Sequence, residues 1–126
     1  MRWRRRDPEP TLDEKLRNVE ERLHVMEGVL VGLRERAAVH EVLDVSGSID
    51  DAIGRLQERL GLDEVQATVI TDMQVRRFVP AEVAKVEEYV REMREQRQAY
   101  LRQGARPRQD PSAGSGSGAG LSPGRR

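Results

Sequence analysis

Cysteine is absent from the sequence, which excludes disulfides and thiolate metal sites and suits a reducing cytoplasm. Aromatic residues are scarce at 3%, so any core is aliphatic and thin. No long apolar run exists. The longest patch, "GVLVGL" at 28–33, is far below the roughly 20 residues of a membrane span. The basic start "MRWRRRDPEP" has no apolar stretch behind it, which argues against a secretory signal. No glycine-rich phosphate loop, strand alternation or internal repeat is present. These absences lead to the expectation of a cytoplasmic protein that is soluble, has no membrane contact and forms one small domain.

Charge is abundant, and its zero net value hides an asymmetry. Residues 1–10 carry four Arg against Asp7 and Glu9, and residues 101–126 carry five Arg against Asp110. The remaining 11–100 hold 13 basic and 19 acidic side chains, a net of −6. An acidic body with basic ends makes a poor DNA clamp. Arg2, Arg4, Arg5, Arg6, Arg125 and Arg126 are nevertheless candidate contacts to phosphate, giving weak, non-specific, salt-sensitive binding and nucleoid association. From Gly104 onward, "GARPRQDPSAGSGSGAGLSPGRR" buries too little apolar area to offset ordering entropy. Residues 104–126 are therefore expected to be a disordered tail and residues 1–10 a disordered basic arm, with the ordered unit at 11–103.

Within that unit the periodicity is helical. Leu12, Leu16, Val19, Leu23, Met26, Leu30, Leu33 and Ala37 alternate steps of four and three, a coiled-coil seam on one long first helix. A second stripe, Val25, Val29, Gly32, Val39 and Leu43, starts midway, with Arg36 intruding. "SGS" at 46–48 ends that helix, and Ser48 caps the next. A second helix over 49–60 aligns Ile49, Ala52, Ile53, Leu56 and Leu60 before stopping at Gly61. Asp63 and Gln66 then stand in capping-box spacing. The helix they open, read through to Phe78, is apolar on nearly every side and so must be buried on several. Pro80 suits the first turn of a fourth helix, whose seam is Val79, Val83, Val86, Val90, Met93 and Tyr100 with Arg97 in register. The expected fold is all-α. Two antiparallel helices form a coiled-coil arm capped by a small helical knob at about 44–80.

Catalytic signals are missing. Asp50 with Asp51, and Glu87 with Glu88, are sequence neighbours that project differently from a helix, which does not suit paired acid–base work. His24 and His40 have no spaced ligand companions. No catalytic residue, cofactor or metal is expected.

"RLHVMEGVLVGL" (22–33), "SGSIDDAIGRLQERLGLDEVQATVITDMQVRRF" (46–78), Glu82 and "KV" at 85–86 carry a resemblance. They resemble the A subunits of bacterial type IIA topoisomerases, DNA gyrase and topoisomerase IV, in the exit-gate (C-gate) coiled coil and dimerisation knob. Leu23, His24, Glu27, Gly28, Gln66, Ala67, Ile70, Asp72, Met73 and Arg77 fall on the patterns LHxxEGLL and GLxExQAxxIxDMxLxRL. Departures are Arg36 at a usually apolar place, Phe78 for a leucine, and Val79-Pro80 for a Thr-Gly cap. The resemblance implies a dimer paired through the knob, with Gln66, Val69, Ile70, Met73 and Phe78 as candidate interface residues. It implies no cleavage chemistry, because the family's winged helix and tyrosine–arginine pair have no counterpart here. Tyr89 and Tyr100 are expected to pack in the arm. Three readings follow: a non-catalytic dimerisation protein that also pairs with or modulates a type IIA topoisomerase A subunit, an independent homodimeric DNA-associated scaffold, or a remnant topoisomerase fragment.

Overall fold

A computed structural model of the chain describes residues 8–105. The expectations for Arg2, Arg4, Arg5, Arg6, Arg125 and Arg126 lie outside the described residues, as does nearly all of the 104–126 tail. Five α-helices and one 3₁₀ turn make up the fold, and no strand occurs among the described residues. They are α1 (Leu12–Arg34), α2 (Arg36–Val45), α3 (Ile49–Leu60), α4 (Glu64–Thr71), the 3₁₀ turn (Val75–Phe78) and α5 (Pro80–Ala105). Among these residues no helix is long and apolar enough to cross a membrane.

Local chemistry sets most of the boundaries. Thr11 and Glu14 form a reciprocal capping box at α1. The Ser48 hydroxyl accepts from the Asp51 N–H at α3. Gly61 ends α3 with φ +69°, the left-handed geometry in which a side chain is strained. Asp63 and Gln66 form the capping box of α4, and Pro80 opens α5 at the position where its missing N–H is not needed. The last helix runs through Gly104 and Ala105, two residues that glycine content assigned to the tail.

Two boundaries differ from the periodicity. The first helix is not continuous. At Glu35 the backbone leaves helical geometry (φ −102°, ψ 43°), and α2 begins at Arg36. The break lets Val39 and Val42 reach Leu56, Ala67 and Ile70, a cluster separate from the arm seam. Ala37, expected in that seam, is exposed as a result, and Leu43 is only partly covered. The third helix is also shorter than expected. It stops at Thr71, and Val75–Phe78 beyond it form the 3₁₀ turn. Its surplus of apolar sides is thereby divided between two clusters. Ala67 and Ile70 join the α2–α3 cluster, while Val69, Met73 and Phe78 pack against the arm. Ile49, placed on the buried face of the second helix by its spacing, is 62% exposed.

The arm is α1 against α5, antiparallel, with Val19, Leu23, Leu30, Leu33, Val86, Val90 and Met93 buried in one cluster. Charged side chains bridge the pair in reverse order along the two helices: Glu20 to Arg97 at 2.9 Å, Glu27 to Arg94 at 2.9 Å and Arg34 to Glu87 at 3.1 Å. Exposed ion pairs add little stability, but their sign alternates at Arg34, which disfavours a slipped register. The knob joins the arm where α4 crosses α1. A Cβ on Gly28 would stand 2.6 Å from the Gln66 side chain, and one on Gly32 would stand 2.8 Å from Ile70. Only glycine lets the helices approach this closely.

That crossing gives a direct test against a second helical glycine. Gly28→Val forces Gln66 out of place and is expected to cost about 1–3 kcal/mol, the usual range for overpacking. A Cβ on Gly54, in α3, would meet nothing within 4 Å, so Gly54→Ala should be neutral or stabilise by up to about 1 kcal/mol. Urea unfolding followed by helical circular dichroism checks both, and equal midpoints for the two variants would contradict the close crossing.

Candidate functional site

The candidate site is the surface of the knob, formed by α2, α3, α4 and the 3₁₀ turn. Its anchor is buried. Gln66, at 7% exposure, is the buried polar side chain among the described residues. Its amide nitrogen donates to the His24 carbonyl oxygen at 2.7 Å, and its amide oxygen accepts from the Asp63 N–H at 3.1 Å. One Asp63 carboxylate oxygen accepts from the Gln66 N–H at 2.8 Å, and the other meets His24 Nε2. The capping box of α4 is thus tied to α1 through both the backbone and the imidazole of one histidine. The Gln66 N–H, followed by His24, holds the Asp63 carboxyl below its ordinary range.

The five candidate interface residues therefore divide. Gln66 and Ile70 lie inside the protomer: Gln66 is consumed by this network, and Ile70 by Gly32 and the α2–α3 cluster. Val69, Met73 and Phe78 are half-buried. Val69 and Met73 line a shallow groove with Met26 and Val29, rimmed by Asp72, Gln74 and Arg77. Phe78 lies beneath Arg36, whose guanidinium carbon is 5.4 Å from the ring centroid, and beside His40, with ring centroids 6.0 Å apart. The departure at Arg36 and the departure at Phe78 are thus one feature, a cation over an aromatic face.

Other apolar residues are exposed, among them Val79, which its spacing placed in the seam of the last helix. Val45 is 64% exposed, Val65 57%, Val75 81% and Val79 51%. Their signal was the excess of valine around the 3₁₀ turn and at the α2–α3 turn, which a helical wheel places on faces that do not exist. Near the turn, Lys85 holds the Glu82 carboxyl below its ordinary range, and Arg76 and Arg77 add to the effect. Tyr89 and Tyr100 pack partly buried against the arm cluster, and the Tyr100 hydroxyl accepts from Gln96 at 3.1 Å. Among the described residues no group of three or more histidine or carboxylate side chains is placed to hold a metal. Asp51 is occupied by the Gly47 N–H and Arg55, which hold its carboxyl low.

The network at Asp63 has a pH signature. Its folded pKa lies below the ordinary value of 3.8, so the charged form's contribution is present above that value and lost as pH falls through the folded one. Asn also caps helices well, so Asp63→Asn removes the charge while keeping the cap. Wild type should melt above this variant near neutral pH, and the gap should close as pH falls from about 5 to about 2. Thermal melts at a series of pH values check this. A gap that stays constant through that range would show that the carboxylate charge plays no part.

Comparison with known proteins bears on what this surface belongs to. No family model matches the chain. Over 80 residues, 64% of its length, it is 32% identical to the DNA gyrase A subunit of Borreliella burgdorferi, of which it covers 10%. Over 72 residues, 57% of its length, it is 37% identical to the DNA gyrase A subunit of Streptomyces coelicolor, covering 8% of that protein. The match to the DNA gyrase A subunit of Mycoplasma pneumoniae is 32% over 79 residues and covers 9% of it. The chain spans about a tenth of the length of these curated relatives. More than half of the chain is thus similar to a small segment of the DNA gyrase A subunit.

Proposed function

We propose that this chain is a non-catalytic dimerisation and binding module of the exit-gate type, in which the knob pairs two copies and the arm holds the knobs out. One observation carries the reading. Every exposed large apolar side chain among the described residues, Leu101 apart, belongs to the knob or to the turn that closes it. An arm that covers its seam and a knob that leaves valines and isoleucine in water are what a tip-to-tip contact needs. The thin aliphatic core supports the same reading, since a unit of this size gains stability from association.

Similarity to the gyrase A subunit supports a second partner for the same surface. A knob with this ancestry can pair with the A subunit of a type IIA topoisomerase, and thereby modulate it. Such pairing captures free subunits more readily than it displaces assembled ones, because an assembled subunit must first give up the partner it already holds. Native mass spectrometry of the chain co-expressed with a gyrase A subunit tests this arm of the proposal. A one-to-one mixed species supports it, and homodimers alone at every ratio remove it.

Sedimentation equilibrium tests the dimer itself. Wild type is expected to dimerise at micromolar concentration. Val75→Asp should leave the helical content of the protomer unchanged, because the side chain is 81% exposed, yet should weaken the dimer about tenfold or more by placing a carboxylate in an apolar contact. Leu101→Asp, at the far end of the arm, should leave association unchanged. A stable folded monomer at those concentrations would overturn the proposal.

A further inference from the structure

The outward face of α2 is a ridge of residues four apart. Arg36, His40 and Asp44 are all exposed, with Ala37 beside them, while Ala38, Val39 and Val42 face inward. The ridge extends about 12 Å along the helix axis and drifts about 40° per step, the geometry of ridges that interdigitate when two helices cross. Its two ends carry opposite charges. Among the described residues neither Arg36 nor Asp44 has an ion-pair partner, whereas Glu41 on the flank of the same helix is paired with Arg59 at 2.7 Å.

Exposed apolar side chains accompany each end. Arg36 stands over Phe78, which continues into the exposed Val79. Asp44 is followed by the exposed Val45 and, one turn of chain later, Ile49. Each end is therefore an apolar patch with one unpaired charge, and the two charges are complementary.

We infer that two copies of this chain pair by laying α2 antiparallel against α2 about a two-fold axis at His40. In a two-fold contact, a residue that meets a second residue is met by it in return. Arg36 of each copy then faces Asp44 of the other, and Phe78 with Val79 faces Val45 with Ile49. A parallel alignment would instead set arginine against arginine and aspartate against aspartate. A pairing centred on the Arg36 end alone would bring like charges together. The antiparallel crossing also supplies ion-pair partners to both charges and cover to the exposed apolar residues at both ends of α2. This inference rests on the dimer reading above and specifies its geometry.

Charge reversal separates the two. Full-length chains carrying Arg36→Asp or Asp44→Arg, differently tagged, are studied alone and mixed one to one by sedimentation equilibrium and native mass spectrometry. Each variant alone faces like charges at both reciprocal contacts, and its dimer dissociation constant should rise about tenfold or more. Mixed, the two variants restore both opposite-charge contacts, and a heterodimer of near wild-type affinity should form. Both positions are exposed, and unchanged helical circular dichroism verifies the fold. A wild-type dimer that neither substitution weakens overturns this geometry and leaves the dimer reading standing. Weakened variants that fail to rescue each other also overturn it. A monomeric wild type overturns both.

Discussion

The fold depends on the place where α4 crosses α1. Two glycines one turn apart, Gly28 and Gly32, remove the side chains that would hold the helices apart, and Gln66 and Ile70 occupy the space. Burying an amide such as Gln66 is costly unless its donors and acceptor are satisfied. Here the His24 carbonyl and the Asp63 N–H satisfy it. The same contact positions Asp63 against the His24 imidazole, so one crossing fixes the start of α4, the level of α1 it meets and the direction in which the knob leaves the arm. Without that close approach, Ala67 and Ile70 would not reach Val39, Val42 and Leu56, and the second cluster would lose its centre.

From this crossing the molecule divides into two parts with different physics. The arm is a continuous aliphatic seam flanked by exposed ion pairs whose order matches antiparallel helices. Its charges contribute more to register than to stability. At about 39 Å for the 26 residues of α5, it is long relative to the knob it supports. The knob packs short helices around a small cluster and leaves apolar residues at both ends of α2 in water. A module stable enough to hold its shape but incomplete at its tip is suited to association. That is the basis for the proposal that it is a pairing device.

Much of this was legible in the sequence because it is decided locally. The Ser48 and Asp63 caps, the Gly61 stop and the Pro80 start depend on a few adjacent residues, and each stands where the spacing put it. The break at Glu35 was not legible. No glycine or proline marks it, and it arises because two clusters compete for successive stripes of one apolar pattern. The early end of α4 at Thr71 has the same origin, since Val69, Met73 and Phe78 are drawn to the arm while Ile70 is drawn to α3. The candidate interface set divides in consequence. Gln66 and Ile70 belong to the family pattern, but in this protomer they serve the internal crossing. Residues left facing water, such as Val45 and Ile49, fall on neither pattern.

Absence of cysteine makes the central claim directly measurable, because a single introduced thiol can be spin-labelled without competition. Labels at Gln74→Cys in the knob and at Asn18→Cys toward the open end of the arm, both exposed positions, report inter-subunit distances by double electron–electron resonance. Pairing through the knob predicts a short, narrow distance between the two Gln74→Cys labels and a much longer one between the two Asn18→Cys labels. A short distance at Asn18→Cys, with the knob labels far apart, would mean that the arms associate side by side and that the knob is not the pairing surface.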